Sequence, residues 1–392
     1  MKSLSLFFSL LLAMTSYATA APSPEFATFD QKAKAGDTLR VVFLGGSLTW
    51  GAQSTNPQQT SYRAIVQRRL EEAYPKAHFQ FHDAAIGGTG SQLASFRLER
   101  DVLAYKPDLV FLDYTINDNP YVEPSPHRLA SYEGLVRRIV KSGAAMVAVI
   151  LPAKKDVEAN PPSRPLDARH KEIAAAYGLP IADAVALAQS CVAARKTTPD
   201  LLWDLPEDQT HPGDAGYALY ADAAWAAYQE GVARSAKCAV PEKMIHADTY
   251  MTVTRFVLAA QPSLPEGWAK GKPHRNAVAH DFVCSRWMDS LAIAAPGARP
   301  LRFRVQGSDL MLFGEQTKIS GSYVVKIDDR EPKKYSAVCA DGNMRLVQII
   351  AEGLDPAIEH MVEISPDLAK GQELRLESLC VAGGKASVQL LD

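Results

Sequence analysis

The 392-residue sequence predicts a three-layer α/β/α domain built on a parallel sheet, followed by an all-β sandwich domain. As far as about residue 232, apolar runs of strand length alternate with stretches of helical periodicity, which favours a parallel sheet covered by helices on both faces. From about residue 243 the helical periodicity fades, and short β-rich runs alternate with turns rich in Gly, Pro and Asp. The chain is also longer than one hydrophobic core usually holds. We therefore predict an α/β domain over residues 21–240 and an all-β domain over residues 241–392.

In the first domain, the predicted strands are short apolar runs, except for one at residues 78–82 that alternates between polar and apolar residues. They cover residues 41–44, 78–82, 109–112, 146–151 and 181–182. The helices lie between them: Ser61 caps the first and Pro75 ends it, and glycines at 143 and 178 stop two later ones. The predicted helices cover residues 61–74, 91–105, 126–141, 166–177, 184–195 and 214–232. Residues 21–37 form a lead-in to the first strand that contains proline and alanine, and no helix is predicted there.

The second domain is predicted from β-rich runs at regular spacing, each bounded by turn residues. They cover residues 250–258, 301–305, 309–313, 322–327, 344–350, 360–364 and 374–382. Several short strands at this spacing are typical of a β-sandwich.

The first twenty residues have the pattern of a secretory signal peptide. Met1-Lys2 supplies a positive start, residues 4–14 are apolar, and Ala18-Thr19-Ala20 is a small-x-small cleavage site. We expect cleavage after Ala20 and a secreted or periplasmic protein; an N-terminal membrane anchor is the alternative. The apolar run is shorter than the roughly 20 residues that span a bilayer, so stable membrane insertion is not expected. The formal net charge of −2 argues against a general attraction to nucleic acid.

Neither a metal nor a cofactor is expected from the pattern of potential ligands. No two cysteines form a Cys-x-x-Cys pair, and no group of His, Asp and Glu has metal-ligand spacing. Export would permit disulfides, and the candidate pairs are Cys191 with Cys238 and Cys339 with Cys380. Because the five cysteines are odd in number and include Cys284, at least one thiol stays unpaired.

Three polar or glycine-rich turns follow three successive predicted strands. They contain Ser47, Gly88 and Asn117, and in a parallel sheet such turns meet at the edge where ligands bind. Ser47 is a candidate nucleophile, which would need a base and oxyanion donors. The alternatives are an ordinary turn serine at 47, an asparagine at 117 that only caps a turn, and a phosphate-cradling loop at residues 87–90. That loop lacks the Gly-x-Gly-x-x-Gly order and the P-loop lysine.

The candidate base is His211, which lies in a loop just before the predicted helix at residues 214–232. Asp208, three residues upstream, is placed to orient the imidazole and to stabilise the imidazolium; Asp204 is an alternative for this role. Trp50 and Trp203 flank the nucleophile and the base in sequence. Each is interpreted either as a surface that stacks on a sugar ring or as a core residue.

Four sequence blocks in order resemble those of the SGNH (GDSL-type) hydrolase superfamily. The resemblance covers roughly residues 39–232, and the blocks are Gly45-Gly46-Ser47-Leu48, the stretch from Asp83 to Gly88, Thr115-Ile116-Asn117-Asp118, and Asp208-Gln209-Thr210-His211-Pro212. Three positions depart from the family pattern: Gly46 replaces an Asp, Asp83 an Asn, and Thr115 a Gly. The resemblance implies a flavodoxin-like three-layer fold, Ser47 as nucleophile, His211 as base and Asp208 as its orienting partner.

The same resemblance implies an oxyanion hole formed by the backbone N–H groups of Ser47 and Gly88 and the side chain of Asn117. It implies no cofactor. The β-rich region resembles, more loosely, the jelly-roll-like accessory domain of some SGNH acetylesterases, over residues 313–328. We carry no binding residue over from that domain.

Together these features predict a secreted serine esterase that removes acetyl groups from a polysaccharide or a smaller ester. The carbohydrate part rests on export, the added β-domain and the two tryptophans. The alternatives are a lipase, lysophospholipase or thioesterase of the same superfamily, an acyltransferase, and a carbohydrate-binding protein with a vestigial hydrolase domain. The polar loop at residues 53–60 favours a small acyl group over a long one.

Overall fold

The computed structural model describes residues 25–274, 288–340 and 342–391. The predicted signal peptide and Cys284 lie outside these residues. No helix within the described ranges has the length and apolar character needed to cross a membrane.

The first domain is built on a parallel sheet, as predicted. Within the described residues the sheet has five strands in the order β2-β1-β3-β4-β5. Their bounds are β1 Thr38–Gly45, β2 His78–Ala85, β3 Leu109–Leu112, β4 Ala145–Ile150 and β5 Ile181–Asp183. The register pairs Gly45 of β1 with Ala85 of β2, and Leu44 with Leu112 of β3. The turns that follow β1, β2 and β3 therefore leave the sheet side by side.

The described helices of this domain pack on the sheet through apolar faces. They are α1 Glu25–Ala35, α2 Ser47–Trp50, α3 Tyr62–Ala73, α4 Ser91–Asp101, α5 Pro126–Lys141, α6 Pro165–Ala176, α7 Ala184–Ala193, α8 Pro199–Leu202 and α9 Asp214–Ala233. Short 3-10 helices cover Leu103–Tyr105 and Lys154–Asp156 in this domain, and Thr249–Met251 and Leu258–Ala260 farther along the chain. Ser61 caps α3, as predicted, by accepting a hydrogen bond from the Ala64 N–H.

The lead-in at residues 21–37, where no helix is predicted from the sequence, contains the helix α1. This helix buries Phe26, Phe29 and Ala33, whose spacing of three and four places them on one face. The sequence already carries this pattern, but the neighbouring prolines and alanines obscure it.

The second domain consists of two antiparallel sheets. Its strands are β6 Val253–Val257, β7 Trp268–Gly271, β8 Leu291–Ala294, β9 Leu301–Gln306, β10 Asp309–Gln316, β11 Ser322–Ile327, β12 Lys333–Ser336, β13 Met344–Ala351, β14 His360–Asp367, β15 Leu374–Ala382 and β16 Ser387–Leu391. One sheet has the order β13-β10-β15-β8-β7, with β6 also paired to β15; the other has the order β12-β11-β14-β9-β16. Apolar residues of both sheets form one core, as expected for a sandwich. Strands β7, β8, β12 and β16 are not predicted from the sequence.

The two domains share a third, smaller apolar core. Leu93 and Phe96 of α4 pack there with Tyr250, Met311 and Phe313 of the second domain. All five side chains are less than a tenth exposed. The predicted boundary at residue 240 stays a prediction, since residues 234–252 connect the last helix of the first domain to the first strand of the second.

The candidate disulfides are not formed. Cys191, Cys238, Cys339 and Cys380 are free thiols. Burial raises the pKa of the Cys238 thiol to about 12 and that of the Cys380 thiol to about 12, which favours the neutral form of both.

Candidate active site

Ser47 is the first residue of the short helix α2, directly after the Gly45-Gly46 turn that ends β1. Its side chain is 8% exposed. The turn is too close to its neighbours for larger residues: a Cβ built on Gly45 would lie 2.7 Å from the Asp113 carbonyl oxygen, and one built on Gly46 would lie 2.0 Å from Asn117 Oδ1. The Asn117 side chain therefore fills the space beside Gly46, where the family pattern has an Asp.

Ser47, His211 and Asp208 form one chain of hydrogen bonds. Ser47 Oγ lies 2.7 Å from His211 Nε2, and His211 Nδ1 lies 2.7 Å from Asp208 Oδ2. With the ring proton on Nδ1, that nitrogen donates to the carboxylate and Nε2 accepts from the serine hydroxyl. A nucleophile, a base and an orienting carboxylate within hydrogen-bond reach are the arrangement that activates a serine. The structure thus brings together the three residues whose spacing suggested this chemistry.

The Asp208 carboxylate is fixed by the loop that carries it. Its Oδ1 accepts hydrogen bonds of 3.0 Å from the backbone N–H groups of both Thr210 and His211, and its Oδ2 accepts one of 3.2 Å from Gln53 Nε2. Partial burial acts to raise the pKa of this carboxyl, but the hydrogen bonds from the backbone and the ring of His211 outweigh it, and the pKa is held below its usual range. Asp208 is therefore ionised at neutral pH.

Asp204, the alternative partner for the base, lies elsewhere in the loop. A Cβ built on Gly213 would lie 2.3 Å from Asp204 Oδ1, so this carboxylate packs against the residue that precedes α9. Gln53 is a site residue that the sequence did not predict. Its φ of 67° is unusual for a residue other than glycine, and nothing in the sequence indicates this conformation.

The turns after β2 and β3 lie next to Ser47, at the same edge of the sheet, as predicted. The Ile86 N–H donates to the Gly45 carbonyl at 3.0 Å, which ties the loop containing Gly88 to the end of β1. Gly88 has a φ of +65°, a conformation that favours glycine. Asn117 contacts the Gly46 position, one residue before Ser47. The two candidate oxyanion donors thus lie on the loops that flank the serine.

Asp118, next to Asn117, has a structural role in the described contacts. Its Oδ1 accepts a 2.9 Å hydrogen bond from the Ser91 N–H at the start of α4. Burial raises the pKa of Asp118 to about 6, against the opposing effect of that hydrogen bond. The carboxylate joins the β3 turn to the helix that follows the Gly88 loop.

A buried network of polar side chains lies between α2, which begins at Ser47, and the turn after β3. Thr49 Oγ1 lies 3.1 Å from the Tyr62 hydroxyl and donates at 3.3 Å to Asp113 Oδ2, and Asp113 Oδ1 accepts from the Thr115 N–H at 3.1 Å. Burial raises the pKa of Asp113 to about 7, more than these hydrogen bonds lower it. This network connects α2 to the end of β3.

Of the two alternatives for Trp203, the structure supports the core residue and not the surface that stacks on a sugar ring. Its side chain is 1% exposed in the core of the first domain, and its Nε1–H donates to the Thr210 carbonyl at 3.3 Å. It therefore supports the loop that carries His211. Trp50 is half-buried at the end of α2, and its contact with a sugar stays a prediction.

Among the described residues, one group has side-chain ligand atoms close enough to hold a cation: His127, Asp309 and Glu352. It lies where the domains meet. The Asp309 carboxylate already accepts hydrogen bonds from His127 Nδ1 at 2.8 Å, the Tyr250 hydroxyl at 3.0 Å, the Ser308 hydroxyl at 2.9 Å and the backbone N–H at position 353 at 3.1 Å. Through these hydrogen bonds the group connects the two domains.

Comparison with known proteins finds similar esterases. The acetylxylan esterase of Geobacillus stearothermophilus is 28% identical over 131 residues, which are 30% of this chain and 60% of that enzyme. The chain thus matches less than two thirds of that relative. A two-domain esterase (CEX) active on acetylated mannans, co-crystallized with mannopentaose, superimposes with a TM-score of 0.76 at 23% identity, over 93% of this chain and 95% of that chain. A second crystal structure of a CEX esterase gives a TM-score of 0.74 at 22% identity, over 93% and 96% of the two chains.

The structural matches cover both domains and show a common two-domain fold. The family match is confined to the first domain, where residues 43–219 match the model of the GDSL-like lipase/acylhydrolase family. The matched residues include Ser47, Asn117 and His211. Residues 43–219, which make up most of the α/β domain, therefore belong to the GDSL-like lipase/acylhydrolase family, an SGNH hydrolase family.

Proposed function

We propose that the protein is a serine esterase that removes acetyl groups from an acetylated polysaccharide through an acyl-enzyme. The observation that carries the proposal is the hydrogen-bonded chain Ser47–His211–Asp208, with 2.7 Å at both contacts of the imidazole. This geometry matches what a serine nucleophile needs at neutral pH.

The reaction proceeds in two transfers. Ser47 Oγ attacks the ester carbonyl while His211 Nε2 takes the hydroxyl proton, and the imidazolium then gives that proton to the departing sugar oxygen. Water next attacks the acetyl-serine, His211 takes a proton from the water, and the serine hydroxyl is restored with release of acetate. Asp208 holds the Nδ1–H and stabilises the imidazolium in both steps.

The negative charge on the carbonyl oxygen needs fixed donors. The backbone N–H groups of Ser47 and Gly88 and the amide N–H of Asn117 are assigned this role on the positions of their loops around the serine. Loss of one such donor typically costs about 3 kcal/mol of transition-state stabilisation.

The substrate class is proposed from the comparisons and from the sequence. The two-domain architecture is shared with an esterase active on acetylated mannans, and the aligned relative is an acetylxylan esterase. The N-terminal pattern of a signal peptide suits an enzyme that meets a polysaccharide outside the cytoplasm. These observations favour an acetyl group on a hemicellulose-type glycan over a long acyl chain.

The test is hydrolysis of p-nitrophenyl acetate by wild type, Ser47→Ala and His211→Asn. We expect both variants to fold and to lose activity. The chain offers a matched control, because His360 Nδ1 lies 2.7 Å from Asp328 Oδ2 in the second domain, with no serine in the chain of contacts. His360→Asn should keep the activity. A folded Ser47→Ala that hydrolyses the ester at the wild-type rate would contradict the proposal.

Substrate class is tested separately with matched acyl and sugar series. Acetate release from acetylated mannan and acetylated xylan is compared with hydrolysis of acetyl and octanoyl p-nitrophenyl esters. Preference for octanoyl esters would instead indicate a lipase or thioesterase. Transfer of acetyl to an added sugar would indicate an acyltransferase, and glycan binding by an inert protein would indicate a binding function.

A further inference from the structure

The second domain places a guanidinium against the Gly88 loop of the first. A Cβ built on Gly88 would lie 1.8 Å from an Arg345 Nη, 2.7 Å from its Cζ and 3.0 Å from its Nε. The planar guanidinium therefore lies directly against the Cα of the glycine whose N–H is assigned to the oxyanion hole. Only glycine leaves room for it at this position.

The position of Arg345 follows from the alternation of strand β13. Side chains two residues apart share one face of a strand, so Arg345, Val347 and Ile349 point the same way. Val347 and Ile349 pack against the apolar core shared by the domains. We call the face of β13 that carries Arg345, Val347 and Ile349 the docking face. Arg345 is its residue nearest the active site.

The partner strand and the first domain fix this arrangement. Cross-strand register pairs Ile349 with Met311 and Val347 with Phe313 of β10, and both partners lie in the shared core. On the other side of this core lies α4, which starts at Ser91, just after the Gly88 loop. Gln92 of α4 donates a 2.8 Å hydrogen bond to Glu352, just beyond the end of β13. Both ends of the docking face are thus held against the helix and the loop before it.

We propose that Arg345 is a positioning residue of the esterase reaction, supplied by the second domain. Its guanidinium fixes the Gly88 loop and its positive charge favours the negative charge that develops on the carbonyl oxygen at the Gly88 N–H. Such a charge, held in place before the reaction, stabilises a transition state more than a ground state. The second domain is then part of the catalytic unit. This inference rests on the proposed esterase function.

The test separates the charge of Arg345 from its bulk. Arg345→Met keeps the length of the side chain without the charge, and Arg345→Lys keeps a charge. We expect Arg345→Met to lower kcat for p-nitrophenyl acetate by about 10- to 100-fold, with a smaller change in KM and an unchanged melting temperature. Arg345→Lys should recover part of the loss. Arg302→Met is the matched control, because Arg302 pairs with Glu363 at 2.8 Å in the other sheet of the domain.

A second readout follows the tetrahedral state directly. Methylboronic acid forms a negatively charged tetrahedral adduct with an active serine, and its inhibition constant should rise in Arg345→Met by about the same factor as kcat/KM falls. An unchanged kcat, an unchanged inhibition constant, or equal losses in the Lys and Met variants would overturn the proposed charge effect. A loss confined to polysaccharide substrates would also overturn it, in favour of a sugar contact. Esterase activity that survives Ser47→Ala would overturn the proposed function itself, whatever the Arg345 variants do.

Discussion

Replacing Asp208 with asparagine tests whether this carboxylate sets the proton position on His211. In Asp208→Asn, the amide oxygen can keep the two backbone hydrogen bonds of Oδ1, each 3.0 Å long. The amide nitrogen then takes the place of Oδ2, which lies 2.7 Å from His211 Nδ1. Because an amide N–H can only donate, His211 must present Nδ1 without its proton.

The displaced proton moves to Nε2, which faces Ser47 Oγ at 2.7 Å. A protonated Nε2 cannot accept the serine proton, so the loss should resemble that of a triad held in the wrong tautomer, on the order of 10⁴-fold in kcat. That factor corresponds to about 5 kcal/mol of activation free energy. The loss of folding free energy should be smaller, about 1–3 kcal/mol, because the loop keeps its backbone hydrogen bonds.

The assay is kcat for p-nitrophenyl acetate at pH 8, with the melting temperature as a check on folding. Asp204→Asn is the matched control, since its carboxylate packs against Gly213 in the same loop. We expect this control to keep near wild-type activity. A folded Asp208→Asn within tenfold of wild type, or a larger loss in Asp204→Asn, would refute the assignment of the orienting carboxylate.

Three further predictions concern the surroundings of the site. In Gly46→Ala the new Cβ would lie 2.0 Å from Asn117 Oδ1, so the Asn117 amide must turn away. We expect kcat to fall by about 10²-fold with little change in melting temperature. An undiminished kcat would argue against Asn117 as an oxyanion donor. Burial raises the pKa of Asp113 to about 7 from 3.8, so the folded state holds this proton more tightly. Its contribution to stability is present below about pH 4 and is lost as the pH rises toward 7. In Asp113→Asn, the unfolding free energy measured by urea titration should therefore fall less steeply over this pH range. The same pH dependence in the variant and the wild type would contradict this prediction. Phe96→Ala removes a ring from the core shared by the domains, where the Phe96 ring centroid lies 6.0 Å from that of Tyr250. We expect the unfolding free energy measured with denaturant to fall by about 3 kcal/mol. A loss below about 1 kcal/mol would mean that this core does not hold the domains together.

The sequence was sufficient to predict the parallel sheet and the relative position of its polar turns. The central strands β1, β3 and β4 are almost entirely buried, so each contains a short apolar run that can be recognised in the sequence alone. Because parallel strands end at one edge, Ser47 and Asn117 could be grouped although they lie far apart in the chain. Asp208 and His211 could be paired because both lie in one short loop.

Features set by tertiary contacts could not be predicted in this way. The sequence around Trp203 does not distinguish a side chain that faces solvent from one in the core. Its burial depends on how α9 packs against the sheet. The edge strands β12 and β16 are short and contain no fully buried residue, so their pattern is weak. The contact between Arg345 and Gly88 depends on how two separate domains dock, and nothing near either residue in the sequence indicates it.

The most direct test of the account is to identify the residue that carries the acyl group during turnover. Wild-type protein mixed with p-nitrophenyl acetate is quenched in acid within the first turnovers, digested, and mapped by mass spectrometry. We predict one acetyl group, on Ser47, that disappears in Ser47→Ala and on longer incubation after the substrate is consumed. Turnover without an acetylated Ser47, or a transient acetyl group on another residue that persists in Ser47→Ala, would contradict the proposed mechanism.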